Sequence, residues 1–416
     1  MEFNKYRLKE LAKYKNERID TNQLTTSNYI STENLLPNKQ GKQKANKLPS
    51  SKTVKKYTEN DILISNIRPY FKKIWQADNI GGISNDVLNI TSSNEKISND
   101  YLYYYLSQDK FFQYMTQTSK GTKMPRGDKE AIMEFEIQVP KNVEYQNFIR
   151  NLGKLLDNKI KINNEIIENL EELSQTLFKR WFIDFEFPDE DGNPYKSSGG
   201  EMIDSELGEI PSNWKIYKLK DIASHKKETF NPKKSEEVTV KHFSLPAYDN
   251  EEQAIEEEVN KIKSNKWIIN NNCVLFSKMN PDTKRIWLPV IDNKKLNVAS
   301  SEFVVMESPN NKITSFIYNI CLNSQFIDYL KANTTGSTNS RQRVKPTIAV
   351  NYKLAVEDSI VKKYSEIITP YMEEMKILRS EIGKLTQLRD TLLPKLMSGE
   401  IEIPDDIEVN NDELSI

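Results

Sequence analysis

The sequence predicts an α+β protein: two similar globular α/β bodies separated by two long helices forming an antiparallel coiled coil, arranged as a pseudo-twofold internal repeat. Three observations carry that expectation. Lys72-Lys73-Ile74-Trp75 returns 212 positions later as Lys284-Arg285-Ile286-Trp287. The same offset joins the apolar runs Ile62-Leu63-Ile64-Ser65 and Val274-Leu275-Phe276-Ser277, each followed by a proline, Pro69 or Pro281. A period of roughly 210 residues is far beyond the roughly 20–50 residues of a solenoid repeat and marks a duplicated domain.

Each copy has the same internal order. Short strand-like runs come first, Asp86-Val87-Leu88-Asn89-Ile90 in one and Glu302-Phe303-Val304-Val305-Met306 in the other. An aromatic segment with helical spacing follows; Tyr101, Phe111, Phe112 and Tyr114 align with Phe316, Phe326, Ile327 and Tyr329 at an offset of 215. That spacing makes Tyr101–Leu106 a core helix rather than a base-stacking platform. A polar loop with one glycine leads to a last alternating strand, and a long helix closes the copy. The seam of the first helix reads Asn163, Ile166, Leu170, Leu173, Leu177, and that of the second Leu378, Ile382, Leu385, Leu388, Leu392. Steps of three and four are heptad spacing, which asks for a partner helix.

The expected boundaries are a first body at 1–141, a helix at 142–183, an acidic crossover at 184–211 too polar to pack, a second body at 212–356, a helix at 357–399 and an acidic tail at 400–416. Net charge is only −1, but it is unevenly distributed. Residues 1–128 carry +8 and 212–356 carry +7, whereas 184–211 carry −8 and 400–416 carry −7. Both bodies are therefore basic, and local charge governs attraction to phosphate. No apolar stretch approaches a membrane span, and Cys273 and Cys321 sit in no metal-ligand or disulfide pattern, so a cytoplasmic protein without a membrane role is expected.

Residue patterns for catalysis are sparse. His225 and His242 are the only histidines and both lie in the second half. No glycine-rich phosphate loop is present, nor the Asn/Asp-Pro-Pro-aromatic tetrapeptide of amino-methyltransferases, and Glu374-Met375-Lys376 falls in a helix. No catalytic residue, bound cofactor or metal site is expected. Binding residues are easier to place. Ser119, Lys120, Thr122, Lys123 and Arg126 surround Gly121; Thr335, Ser337, Thr338, Asn339, Arg341 and Arg343 surround Gly336. Arg126 and Arg341 each stand five residues after that glycine and form the expected matching pair. Lys39, Lys42, Lys44 and Lys47 form a basic loop, and Arg68, Lys72, Lys73, Lys278, Asn280, Lys284 and Arg285 flank the repeated Ile-Trp. Arginine, amides and hydroxyls of this kind suit phosphates and base edges. Two readings fit: a DNA reader, or a coiled-coil scaffold whose basic end domains grip protein.

Two blocks then narrow the choice. Leu170-Glu171-Glu172-Leu173 through Trp181-Phe182-Ile183-Asp184-Phe185 leads into Tyr195-Lys196-Ser197-Ser198-Gly199-Gly200 and Gly208-Glu209-Ile210-Pro211 with Trp214, and Leu388-Arg389-Asp390-Thr391-Leu392-Leu393-Pro394-Lys395-Leu396-Met397-Ser398-Gly399 ends the second helix. The chain resembles the specificity (S) subunits of type I restriction–modification systems over nearly all its length. The resemblance implies that each body is a target recognition domain for one half of a bipartite double-stranded DNA sequence. The helices would set the gap and dock two methyltransferase (M) subunits, with up to two restriction (R) subunits joining. S-adenosylmethionine would then belong to M, and ATP with Mg2+ to R.

Overall fold

A computed structural model describes residues 2–309, 311–336 and 342–403. The chain divides into two compact units, Met1–Ile160 with Leu385–Ile416, and Lys161–Lys384. The first unit opens with β1 (Phe3–Arg7), α1 (Leu8–Leu11), β2 (Ala12–Tyr14), β3 (Arg18–Asp20), β4 (Tyr29–Ile30) and β5 (Thr53–Tyr57). It continues with β6 (Ile62–Ser65), β7 (Ile74–Gln76), β8 (Gly81–Ile83), β9 (Val87–Ser92), α2 (Asn99–Leu106), α3 (Asp109–Gln117), α4 (Lys129–Met133) and β10 (Glu136–Pro140). Helix α5 (Val143–Phe182) follows, then a hairpin of β11 (Met202–Ser205) and β12 (Gly208–Pro211). The second unit holds β13 (Lys215–Lys218), α6 (Leu219–Ile222), β14 (Ser224–His225), β15 (Thr229–Phe230), β16 (Thr239–Phe243), α7 (Leu245–Asp249) and β17 (Ile255–Glu258). Next come β18 (Lys266–Ile268), β19 (Cys273–Ser277), β20 (Ile286–Trp287), β21 (Asn297–Ala299), β22 (Phe303–Glu307), α8 (Thr314–Leu322) and α9 (Ser324–Ala332). The short β23 (Thr334–Thr335) and β24 (Arg343–Val344), α10 (Pro346–Ala349), β25 (Lys353–Val356) and α11 (Asp358–Ser398) complete the order.

The duplication is explicit in the sheets. The first body contains β1-β10, β2-β9-β6-β7 and β3-β5-β8-β4; the second contains β13-β25, β14-β22-β19-β20 and β15-β18-β21-β16-β17. Strand for strand these orders match, with β17 an added edge. Even the one parallel pairing recurs, β4 with β8 and β16 with β21. Strands β6 and β19, apolar except for their last residues Ser65 and Ser277, sit between sheet neighbours and bury every side chain.

Neither body closes its own core. In unit 1, Tyr101, Phe111 and Phe112 of α2 and α3 are buried in one cluster with Leu393, Leu396 and Met397 of α11. Helix α5 comes close enough that a Cβ on Gly153 would stand 2.5 Å from the Tyr104 ring, so only glycine fits. In unit 2, Phe182 of α5 lies 4.7 Å from Phe316 of α8 and 5.2 Å from Tyr364 of α11, ring centre to ring centre. The aromatic segment Tyr101–Leu106 is core, as its spacing predicts.

The two long helices pack antiparallel. Within unit 2, Asn163 Nδ2 donates to Glu381 (2.9 Å), Arg379 Nη2 to Glu171 (2.7 Å) and Tyr364 Oη to the Ser174 carbonyl (3.0 Å). Numbers rise along α5 as they fall along α11. Within unit 1, Arg389 Nη1 donates to Asp157 at 2.7 Å. The seam differs from the sequence expectation in its detail. Asn163, Leu378 and Ile382 are buried and Leu170, Leu177, Leu385 and Leu392 half-buried, but Ile166, Leu173 and Leu388 are exposed. Ile167, Ser174 and Phe178 take the inner face of α5. Candidate positions one residue apart fit heptad spacing equally well, and Ser174 is chosen because its hydroxyl donates to Asn319 of α8 at 2.9 Å. A hydrogen-bonded serine inside costs less than the pattern of leucines suggests.

The crossover also departs from expectation. Phe187 is 5% exposed and stacks on Tyr195 (4.6 Å) and Trp214 (5.0 Å). Its polar residues turn outward while its aromatics form a small core, so it does pack.

Arg379, itself buried, faces two carboxylates, Glu171 and Glu252 (3.2 Å). Burial pushes the Glu252 carboxyl up to about 7, with Glu171 adding to the rise and Arg379 opposing it. One cation shared by two acids cannot compensate both.

Two outcomes are expected. Leu396→Ala should cost about 2–5 kcal/mol, seen as faster amide exchange in α2 with β19 of the other unit unchanged. Glu252 has a folded-state pKa above its unfolded one, so its contribution to stability is complete below about pH 4.5 and is lost as pH rises through about 7. Relative to Glu252→Gln, the wild-type chain should therefore lose on the order of 3 kcal/mol between about pH 5 and pH 8 in denaturant titrations of unit 2. A pH-independent difference contradicts this.

Candidate nucleic-acid interface

In unit 1 the chain leaves β6 and enters the left-handed region at Arg68 (φ 49°) and again at Lys72 (φ 51°), with one 3₁₀ turn, Pro69–Phe71, between them. The Arg68 N–H donates to the Pro125 carbonyl at 2.8 Å, and Gly127 N–H donates to Asn66 at 3.0 Å. Lys120 and Arg126 exchange both backbone hydrogen bonds, at 2.8 and 2.9 Å, closing a hairpin over Gly121. The post-β6 turn and this hairpin form one ledge. Arg126 stands on it, 59% exposed, with Nη2 3.2 Å from the carboxylate of Asp86 just before β9.

Unit 2 rebuilds the ledge from different residues. Asn280, also left-handed (φ 45°), follows β19; its N–H donates to the Gln342 carbonyl at 2.9 Å, and Val344 N–H to Lys278 at 2.9 Å. Thr335 pairs with Arg343 across β23 and β24. Arg343 is 54% exposed, with Nη2 3.3 Å from Glu302 just before β22. Since β22 is the counterpart of β9, Glu302 stands where Asp86 stands. The structural mate of Arg126 is therefore Arg343, and the pairing with Arg341 is corrected: the second loop is two residues longer between glycine and arginine. Ser337, Thr338, Asn339 and Arg341 lie outside the described residues.

A half-exposed Arg–carboxylate pair is worth roughly 0–1 kcal/mol. The acid thus aims the guanidinium without holding it, leaving its fork free to exchange onto a phosphate or the O6/N7 edge of guanine. Around Arg126 lie Ser119, whose hydroxyl donates to Thr116 (2.7 Å), exposed Thr122, and Lys120, which faces Asp128 at 2.6 Å. Lys44, Lys47, Lys123 and Lys284 are exposed with no side-chain partner among the described residues.

Apart from Arg68, whose Nε is buried without a hydrogen-bond partner among the described residues, the remaining basic candidates are committed to the protein. Lys42 donates to the Ser27 carbonyl (3.0 Å) and lies 4.4 Å over Trp75; burial lowers its pKa. Lys73 donates to Thr32 (2.6 Å) and is likewise lowered by burial. Lys72 meets Asp109 at 2.7 Å and Lys39 meets Asp390 at 2.9 Å. Partial burial raises the Asp109 carboxyl, but Lys72 and Lys39 outweigh it and hold it below its ordinary value. Arg285 grips Asp249 through two bonds of 2.7 and 3.0 Å, and Lys278 donates to Ser301 at 2.7 Å. A repeated basic pair is thus mostly internal wiring, because sequence shows charge but not the acid folded against it.

Sequence reasoning passed over Tyr70 and Phe71, 48% and 39% exposed on the ledge with ring centres 4.8 Å apart, and Met124, 50% exposed. Their signal was aromatic residues inside a proline turn, outside any periodic segment. Among the described residues no group of His, Cys, Asp and Glu could hold a metal ion, and no helix is long and apolar enough to cross a membrane.

Residues 1–172 match the family model of the type I restriction modification DNA specificity domain. The chain is 27% identical over 318 residues to the type I restriction enzyme MjaIX specificity subunit of Methanocaldococcus jannaschii, covering 74% of this chain and 70% of that protein. It is 26% identical over 196 residues to the HindI specificity subunit of Haemophilus influenzae, 44% of this chain and 42% of that protein. The fold is similar to the crystal structure of a type I restriction–modification S subunit from M. genitalium, with a TM-score of 0.55 and 15% identity over 95% of this chain and 96% of that one.

Proposed function

We propose that this chain is a specificity subunit of a type I restriction–modification system, and that its two ledges are the surfaces that read DNA, one for each half of a bipartite target. The chain gives such a complex its DNA sequence specificity. The observation that carries the finer reading is the recurrence of one device at matched places: Arg126 aimed by Asp86, and Arg343 aimed by Glu302. Phosphate contacts from Lys44, Lys47, Lys123 and Lys284 would place the duplex, and the arginines with their loop neighbours would read base edges. The loops differ in length and composition while the sheets match, which suits two different half-sites.

The long helices are the natural docking face for partners. Ile162, Ile166 and Leu173 of α5 are 42%, 38% and 50% exposed. At about 100° per residue they fall within roughly 40° of one another, a single apolar stripe. Two M subunits would cover such surfaces, bringing S-adenosylmethionine and methyl transfer to adenine N6, and up to two R subunits would add ATP- and Mg2+-dependent steps. The chain itself would carry no catalysis and would act in the cytoplasm, where DNA is accessible and Cys273 and Cys321 stay reduced; both are buried and unpaired.

In a complex with its methyltransferase partner, Arg126→Ala should cost about 1–3 kcal/mol in discrimination at one base position and leave the other half-site intact. Arg343→Ala should do the converse. Methylation rates on duplexes carrying single substitutions in each half decide it; equal damage to both halves by either variant contradicts separate reading.

A further inference from the structure

The ledges are tied to α11 by a joint that recurs with opposite charge. Two consecutive non-glycine residues occupy the left-handed region in the connection leaving β4, Asn38 (φ 55°) and Lys39 (φ 65°). A second such pair, Glu251 (φ 59°) and Glu252 (φ 54°), lies in the connection leaving β16, the counterpart of β4. Left-handed φ is uncommon for residues other than glycine, and two in succession at matching places need a reason. In each unit the side chain of the second residue reaches α11: Lys39 Nζ lies 2.9 Å from Asp390, and the Glu252 carboxyl 3.2 Å from Arg379 Nε. Arg379 is itself 8% exposed and held by Glu171. In unit 2 the Gln253 side chain packs over Gly383, and its amide donates to the Arg379 carbonyl at 3.1 Å.

The same connections hold the ledges from the other side. Lys39 N–H donates to the Lys72 carbonyl (2.9 Å) and Asn38 N–H to Phe71 (2.8 Å). In unit 2, the Tyr248 hydroxyl reaches the carbonyls of Lys284 (3.4 Å) and Ile286 (3.3 Å), and Glu252 N–H donates to Tyr248 (3.0 Å). Lys72 and Lys284 are the matched residues of the repeat, so both connections grasp the same carbonyl. From there Arg68 or Asn280 bonds by backbone to the loop bearing Arg126 or Arg343.

We infer that Lys39 and Glu252 are positioning residues that fix the angle of each reading ledge on the helices, and so set the tolerance for the gap between half-sites. This rests on the reading given under Proposed function. Neither residue need touch DNA; each transmits the direction of α11 to a reading loop through three short links.

The test uses the complex with its methyltransferase partner and duplexes with unchanged half-sites whose gap is shortened or lengthened by one base pair. Lys39→Glu faces Asp390 and Asp109 with like charge. Preference for the native gap should fall from about tenfold to about twofold, while penalties for half-site substitutions stay as in the wild type. Lys39→Met should move it less in the same direction, and Lys39→Glu with Asp390→Lys should restore it. Should the Lys39→Glu complex fail to assemble, Lys39→Met decides. Unchanged gap preference in the variants, or altered half-site preference, overturns the joint alone. A wild-type complex with no split target overturns the DNA reading and the joint with it.

Discussion

The rest of the structure depends on cores that the bodies do not complete themselves. Leu393, Leu396 and Met397 of α11 are buried among the aromatics of α2 and α3 in unit 1, and Phe178, Trp181 and Phe182 of α5 are buried in unit 2. Apolar burial on this scale contributes about 1.5–3 kcal/mol per large side chain, so detaching a body from its helix segments would expose much of its stabilising surface. Each ledge is therefore placed by a long helix as well as by its own sheet. Partly buried ion pairs then select the arrangement: Asp157–Arg389 in unit 1, and Glu171–Arg379–Glu252 in unit 2.

Charge is used in two ways that the composition does not separate. Many lysines and arginines of the basic bodies hold loops together against carbonyls and carboxylates. A smaller set, led by Arg126 and Arg343, is paired weakly enough to be lent to a ligand. The net charge of −1 hides this, because the acid of 184–211 and 400–416 offsets the two basic bodies. On the proposed reading, dividing the charge in this way would separate affinity from accuracy, with exposed lysines giving a salt-dependent attraction and the aimed arginines giving discrimination.

Much of the fold was legible in the residues. The repeated Ile-Trp became β7 and β20, the aromatic spacing became core helices, and the two heptad stretches became α5 and α11. The inner face of α5 was not legible, because Ser174 is selected by Asn319, a residue 145 positions away. Helix α11 runs through Pro370 and Pro394 as expected, each costing one backbone donor within a packed helix. The site was legible as a region and not as a pairing. Arg343 is matched to Arg126 by an acid before the equivalent strand, a relation that requires knowing which strands are equivalent. Lys39, Lys42, Lys72, Lys73 and Arg285 looked like ligands for phosphate until their partners were in view.

The central claim is that one chain reads two short sequences at a fixed separation. A base-resolution map of N6-methyladenine in DNA from cells that carry this chain with its methyltransferase partner tests it most directly. The account predicts methylation at a single split motif, two defined half-sites with an unspecified gap of constant length, that vanishes when the chain is removed. Methylation at one continuous motif, or a pattern unchanged by removing the chain, would contradict it.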